Sequence, residues 1–87
     1  MPKPITIPTV LTVYGARWCG DCRNTQRYLD SAGVAYEYID LESDRAAQTM
    51  LDDAGYRAIP IVVTPDGTVM IEPSARELAA LTGRASA

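Results

Sequence analysis

The sequence of 87 residues predicts an α/β domain: a four-stranded mixed sheet with three helices, in the order strand, helix, strand, helix, strand, strand, helix. β-branched, apolar runs alternate with segments whose apolar residues recur at helical spacing. The first two runs flank a helix, so their strands should be parallel with a right-handed crossover. The turn sequence of residues 65–67 (Pro-Asp-Gly) separates the last two runs, which should therefore pair as an antiparallel hairpin.

The first half of the chain has the pattern of a strand–helix–strand unit. Apolar, β-branched runs indicate strands over residues 9–14 and 34–41, and residues 15–17 form a short loop after the first strand. A helix follows Trp18, and Gly33 is a suitable stop for it. The residues predicted on the buried face of this helix are Cys22, Thr25, Leu29 and Ala32. Three tyrosines are assigned to the sheet core: Tyr14, Tyr36 and Tyr38.

The second half begins with a helix and continues into the hairpin. Ser43 is predicted to cap the helix, with Asp44 at the positive end of the helix dipole, and Gly55 ends it. The hairpin strands are predicted over residues 61–64 and 68–71. The residues predicted to form the buried stripe of the helix are Ala47, Met50, Leu51 and Ala54.

The two ends of the chain complete a single domain over residues 1–87. Residues 1–8 contain three prolines and are predicted to form a loose leader. Residues 74–77 form a capping box at the start of the last helix, and Gly83 is predicted to follow its end. The inward-facing residues of that helix are Leu78 and Leu81.

Composition excludes several classes of protein. The chain is 47% hydrophobic and 22% charged, with a net charge of −3, which is ordinary for a small globular domain. No stretch approaches the ~20 apolar residues of a membrane span, and mild acidity argues against nucleic-acid binding. Histidine is absent, so the usual general base and the commonest metal ligand are missing. Without a visible secretory leader, we expect a cytoplasmic monomer.

The sequence contains two cysteines, Cys19 and Cys22, at the point where the first strand gives way to the first helix. A helix N-terminus presents unpaired N–H groups and about half a positive charge, which stabilise a thiolate. We therefore expect Cys19 to be nucleophilic near neutral pH. Cys22 lies one turn later, so it should be more buried yet within reach of the first sulfur. This pair can perform thiol–disulfide exchange, with attack by Cys19 and resolution by Cys22.

Three further residues are candidates for the site around the cysteines. Arg17 would favour the Cys19 thiolate and Asp21 would oppose it, and each is equally well explained as a solvated loop charge. Pro60 precedes the third strand, where proline alone is unremarkable. After a strand–helix–strand unit with Cys-x-x-Cys at its first turn, however, Pro60 becomes a candidate site residue.

These features together resemble the glutaredoxins of the thioredoxin-like superfamily, over residues 9–83. The resemblance rests on the Trp-Cys-Gly-Asp-Cys segment of residues 18–22, on the Ile59-Pro60 pair, and on the closing hairpin and helix. Within the family, the pattern is similar to that of actinobacterial mycoredoxins. The stretches that carry this closer resemblance are residues 18–22, Asp40-Leu41-Glu42 with Arg45-Ala46-Ala47, and Asp66-Gly67 followed by Pro73-Ser74-Ala75.

The resemblance implies a thioredoxin-like (glutaredoxin) fold and a thiol–disulfide oxidoreductase. Its substrates would be S-thiolated or disulfide-bonded proteins, with a low-molecular-weight thiol as co-substrate and no tightly bound cofactor or metal. Cys19 would be the exposed nucleophile and Cys22 the resolving thiol. Pro60 would be cis and face Cys19, the Ile59 backbone would pair with substrate, and Trp18 would flank the cleft. The other implied substrate contacts are Arg17, Gly20, Asp21, Ser74 and Ala75.

Departures from the common glutaredoxin pattern argue against glutathione as the small thiol, and the resemblance to mycoredoxins implies mycothiol instead. Gly20 and Asp21 stand where a Pro and an aromatic residue are common, and residues 58–60 read Ala-Ile-Pro instead of Thr-Val-Pro. A common glutaredoxin has a Gly pair before its last helix, which lets N–H groups approach a ligand carboxylate. Here Glu72 would repel a carboxylate and Pro73 has no N–H. Ser74 and its hydroxyl can contact the thiol or simply cap the helix.

Two other functions remain open at this stage. Two cysteines supply half of a Zn²⁺ or iron–sulfur site, so a homodimer could share four thiolates or hold a cluster with added small thiols. The chain has no further Cys or His to complete such a site alone. Alternatively, the protein is a dedicated electron donor to one enzyme, such as ribonucleotide reductase, and is recharged by a flavin-linked reductase.

Overall fold

The computed structural model describes residues 4–86 and contains the predicted elements in the predicted order. Their bounds are β1 Thr12–Gly15, α1 Gly20–Ser31, β2 Glu37–Asp40, α2 Arg45–Asp53, β3 Ile61–Val63, β4 Val69–Ile71 and α3 Ala75–Ser86. The sheet order is β2-β1-β3-β4. β1 is parallel to β2 and antiparallel to β3, and β3 is antiparallel to β4. The prediction of a mixed, four-stranded sheet is confirmed.

The strands are shorter than the sequence predicts, and β1 is shifted toward the cysteines. β1 begins at Thr12 instead of Thr9 and includes Gly15, which was predicted to lie in the loop. Gly15 pairs with Asp40 at the end of the parallel ladder, and this ladder also limits β2 to four residues. The predictions were wrong here because β propensity marks residues that suit a strand, whereas strand ends depend on where a partner strand begins and ends.

Helices cover both faces of the sheet. α1 and α3 pack on one face, around a cluster formed by Val13, Leu29, Val62 and Leu78. α2 covers the other face, around a cluster formed by Tyr14, Leu41, Ala47, Leu51, Ile61 and Val63. Side chains alternate along each strand, so Val13 and Tyr14 enter opposite layers. Tyr36 and Tyr38 pack, partly buried, against the first cluster, as predicted for core tyrosines.

The ends of α2 show one correction. Asp44, not Ser43, is the N-cap residue, and its carboxylate accepts the Ala47 N–H at 3.0 Å. Ser43 instead donates its hydroxyl to the Asp40 carbonyl at 3.2 Å. A capping side chain bonds the N–H two or three residues ahead, so Ser43 lies one position too early to serve this helix. Gly55 follows the helix with φ 89°, as predicted for its stop.

At the ends of α1 and α3, the predicted helix stop at Gly33 is confirmed, and the predictions for Ala32 and Gly83 are wrong. Gly33 follows α1 with φ 72°, but Ala32, predicted on the buried face, is the exposed C-cap residue. The predicted capping box opens α3: the Glu77 N–H donates to Ser74 Oγ at 3.2 Å, and the Ser74 N–H donates to Glu77 Oε1 at 3.0 Å. α3 continues to Ser86 through Gly83, because one glycine costs a helix only about 1 kcal/mol relative to alanine.

The N-terminal segment has no regular secondary structure over residues 4–8, and residues 1–3 of the predicted leader lie outside the described residues. Ile5 nevertheless packs against the cluster beneath α2. The Thr6 N–H also points at Met50 Sδ, 3.5 Å away. Among residues 4–86, no helix is long and apolar enough to cross a membrane.

Candidate active site

Cys19 and Cys22 lie where β1 leads into α1, in a small buried cluster with Ala16. Cys19 is the N-cap residue of α1, and its Sγ accepts the Cys22 N–H at 3.2 Å. Both thiols are free. Cys19 is 8% exposed and Cys22 is 0% exposed. The expectation that Cys22 is the more buried is confirmed. The expectation that Cys19 is exposed is wrong for this structure, because Cys19 packs against Ala16 and Ile59 and is itself buried.

The electrostatic surroundings of Cys22 favour its neutral form. Burial is the largest influence and raises the pKa of Cys22 to about 12; a hydrogen bond with Cys19 and the charge of Cys19 also raise it. Interactions with the Ala16 backbone and with the Tyr38 hydroxyl act in the opposite direction and lower the pKa. Cys22 is thus a protonated thiol at neutral pH in the reduced protein.

Gly15 creates the space in which Tyr38 approaches Cys22. A Cβ added to Gly15 would lie 2.6 Å from the Tyr38 hydroxyl oxygen and 2.7 Å from Cys22 Sγ, closer than side chains allow. Neither residue is predicted from the sequence as part of the site, because its pattern places Gly15 in a loop and Tyr38 in the core. The sequence carries one signal, a glycine between an apolar strand and the Cys-x-x-Cys segment, but the groups that fill the space come from β2.

The segment before β3 forms the other side of the site. The Ile59-Pro60 peptide bond is cis, as the resemblance implies. Ile59 packs against the cluster of Ala16, Cys19 and Cys22. The Pro60 carbonyl accepts the Glu72 N–H at 2.8 Å, which links this segment to the residues that precede α3. Ile59 therefore contacts the cysteines, and the residues that precede α3 lie beside the cis-proline segment.

A cavity of about 390 Å³ lies where α1, the cis-proline segment and the start of α3 meet. Its lining residues are Asp21, Asn24, Thr25, Tyr28, Pro60, Glu72, Pro73, Ala75 and Leu78. This lining contains two carboxylates and no Lys or Arg side chain from the described part of the chain. Glu72 adopts φ 48°, a left-handed conformation that glycine accepts far more readily.

The structure brings some of the predicted contact residues together and separates others. Asp21, Pro60 and Ala75 share the 390 Å³ cavity. Ser74 does not line it, because its hydroxyl is the acceptor of the α3 capping box. Trp18 is 68% exposed and borders a separate groove of about 160 Å³ that Ile59 also lines.

Arg17 and Gly20 are turned away from the cavity. Arg17 Nε lies 3.6 Å from Asp40 Oδ2, and the arginine side chain is 90% exposed, which fits a solvated surface pair. A Cβ added to Gly20 would meet no atom within 4 Å, so Gly20 faces open space.

The glutaredoxin family model matches residues 11–70, a range that holds both cysteines and the cis-proline. This chain belongs to the glutaredoxin family. It is 36% identical over 76 residues to a glutaredoxin of Mycobacterium tuberculosis, with 85% of this chain and 90% of the relative covered. It is 35% identical over 72 residues to mycoredoxin 1 of Corynebacterium glutamicum, covering 80% of this chain and 89% of that protein.

Solved structures agree on the fold of this glutaredoxin. The glutaredoxin-like protein NrdH-redoxin from Escherichia coli superposes with a TM-score of 0.71 at 23% identity, covering 85% of this chain and 91% of the other. The predicted thioredoxin-like fold is thereby confirmed. Family membership makes the protein a thiol–disulfide oxidoreductase, and the family in general works with thiol and protein-disulfide substrates. Within the described residues, no group of three or more His, Cys, Asp or Glu side chains is placed to hold a metal ion.

Proposed function

We propose that this glutaredoxin reduces mixed disulfides between proteins and a low-molecular-weight thiol, and that it prefers mycothiol to glutathione. The observation that carries the preference is the acidic cavity, lined by Asp21 and Glu72 without a basic side chain. Glutathione brings two carboxylates to this site, and like charges at close range repel. Mycothiol has no carboxylate, and its sugar hydroxyls suit the polar groups of Asn24 and Thr25 in the same lining.

The first chemical step is the attack of Cys19 Sγ on the small-thiol sulfur of a mixed disulfide. The Cys22 N–H, 3.2 Å from Cys19 Sγ, stabilises the attacking thiolate. A new S–S bond joins Cys19 to the small thiol, and the bond to the substrate protein breaks. The substrate sulfur leaves as a thiolate and takes up a proton, so the substrate is reduced and Cys19 is oxidised.

The intermediate is resolved by a second small thiol or by Cys22. While Cys19 is free, its charge and its hydrogen bond with the Cys22 thiol both raise the pKa of Cys22. In the mixed disulfide Cys19 carries no charge, and its sulfur is a poorer acceptor for the Cys22 S–H, so both influences weaken and the pKa of Cys22 falls. Cys22 then loses its proton more easily, forms the Cys19–Cys22 disulfide and releases the small thiol.

A direct comparison of the two thiols tests the preference. Turnover of a model mixed disulfide is measured with mycothiol and with glutathione at equal concentrations. Two unfavourable charge contacts of about 0.7 kcal/mol each, one from Asp21 and one from Glu72, correspond together to a tenfold difference, so we expect mycothiol to be about tenfold faster. Asp21→Asn should raise the rate with glutathione relative to the rate with mycothiol, because any effect of Asp21 on Cys19 acts equally with both thiols. Equal rates with both thiols would remove the preference and leave the redox activity intact.

Serine variants test the roles of the two cysteines. Cys19→Ser should abolish disulfide reduction, because Cys22 is buried and cannot replace it. Cys22→Ser should retain activity on mixed disulfides, because a second small thiol can resolve the intermediate. Mass spectrometry of this variant should find the small thiol bound to Cys19. Equal loss of activity in both variants would instead indicate a strictly dithiol mechanism.

A further inference from the structure

Tyr38 has a hydroxyl that the mechanism above does not use, although it reaches the buried sulfur of the site. Tyr38 pairs with Val13 in the parallel ladder, and its ring packs in the layer beneath α1. From there the hydroxyl extends along β1 to Gly15. The Tyr38 oxygen and Cys22 Sγ both lie within 3 Å of the point that a Gly15 Cβ would occupy. The absence of a side chain at Gly15 lets the two groups converge.

We propose that the Tyr38 hydroxyl donates a hydrogen bond to Cys22 Sγ and stabilises the thiolate that resolves the mixed disulfide. This inference rests on the proposed role of Cys22 and adds a residue to the dithiol route only. A donor is needed at this position because Cys22 is fully buried, so no water replaces the missing solvation of a developing negative charge. Hydrogen bonds to a charged acceptor are about twice as strong as those between neutral groups.

The groups around Tyr38 favour its role as a donor. Burial, followed by the nearby charges of Cys22, Asp40 and Cys19, raises the pKa of Tyr38 to about 12. The phenol therefore keeps its proton at neutral pH. From the other elements at the site, Cys19 and the Ala16 backbone face Cys22, and Ile59 contributes an apolar side chain. Tyr38 is thus a side-chain donor that can offset the cost of forming a negative charge on the buried Cys22 sulfur.

Tyr38 assists the resolution of the mixed disulfide by Cys22. The Cys22 thiol loses its proton, and its sulfur attacks Cys19 Sγ in the Cys19–S–S–R intermediate. The Cys19–Cys22 bond forms, the Cys19–SR bond breaks, and RS⁻ leaves and is protonated by solvent. Cys22 is oxidised and the small thiol is reduced. Tyr38 keeps its proton throughout and does not accelerate any other step.

A two-phase reaction with dithionitrobenzoate tests the inference. Cys19 attacks this chromogenic disulfide and releases one thionitrobenzoate, and resolution by Cys22 releases a second. Tyr38→Phe removes only the hydroxyl. We expect its first phase to match that of the wild type. If the lost hydrogen bond raises the thiol pKa by about one unit, the thiolate fraction falls tenfold while intrinsic nucleophilicity rises about threefold. The second phase should then be about threefold slower at neutral pH, with a pH profile about one unit higher.

Tyr36→Phe is the matched control, because Tyr36 is also on the α1 side of the sheet but donates its hydroxyl to Asp30 Oδ1 at 2.9 Å. Both of its phases should equal those of the wild type. A wild-type second phase and pH profile in Tyr38→Phe would overturn the inference. A fast first phase in Cys19→Ser would overturn the proposed function instead.

If Tyr38→Phe does not fold, replacement of the tyrosines by fluorotyrosine tests the same hydrogen bond. This replacement keeps each hydroxyl and strengthens it as a donor. The second phase should then accelerate in the wild type, and an unchanged rate would refute the inference.

Discussion

Glu72 offers a single position at which backbone strain and cavity charge can be tested separately. Its φ of 48° places an L side chain in the left-handed region, while its N–H is held by the Pro60 carbonyl at 2.8 Å. That conformation costs about 1–2 kcal/mol for an L residue. Glycine removes this cost but adds about 0.4–1 kcal/mol of chain entropy to the unfolded state. Glu72→Gly should therefore stabilise the fold by about 0.5–1 kcal/mol.

This gain is measurable by thermal unfolding. For a domain of this size, 1 kcal/mol corresponds to about 4–8 °C in Tm, so Glu72→Gly should raise Tm by about 2–8 °C. Glu72→Gln is the control, because glutamine keeps the unfavourable φ and loses only the charge. We expect its Tm to stay close to that of the wild type. A lower Tm for Glu72→Gly, or an equal gain for Glu72→Gln, would refute the backbone argument.

The same pair of variants tests the charge of the cavity. At a separation of roughly 6 Å in water, the repulsion between two carboxylates is about 0.7 kcal/mol, or a threefold effect on binding. Both variants should therefore increase turnover with glutathione about threefold and leave turnover with mycothiol unchanged. Unaltered glutathione turnover in both variants would show that the Glu72 carboxylate does not act on the bound thiol.

Two further predictions concern the buried sulfur. Gly15→Ala places a Cβ 2.7 Å from Cys22 Sγ, and overpacking of this kind should lower the free energy of unfolding by about 1–3 kcal/mol in urea denaturation; unchanged stability would refute the close approach. The pKa of Cys22 is raised from 9.0 to about 12, so the neutral thiol stabilises the fold below about pH 9, and this contribution is lost as pH rises toward 12. Denaturation across this range should show a steeper loss of stability in the wild type than in Cys22→Ala, and parallel curves would contradict the burial argument.

Local backbone chemistry explains which features could be predicted from the sequence. The order of the seven elements follows from hydrophobic periodicity, which depends on neighbouring residues only. Gly33 and Gly55 end their helices because each must adopt a positive φ, and the capping box of α3 spans four consecutive residues. The placement of Cys19 at a helix N-cap is equally local, so the sequence alone determined which of the two sulfurs would be the less buried.

Tertiary structure decided the features that join distant segments. The ends of β1 and β2 depend on their mutual pairing, which no single run of residues encodes. The approach of Tyr38 to Cys22 requires β2 to lie beside β1 at one particular register, with Gly15 leaving the space between them. The acidic cavity likewise brings Asp21 of α1 to Glu72, fifty residues later in the chain. Hydrogen bonds, charge repulsion and close packing act over a few ångströms in space, and only the folded chain sets those distances.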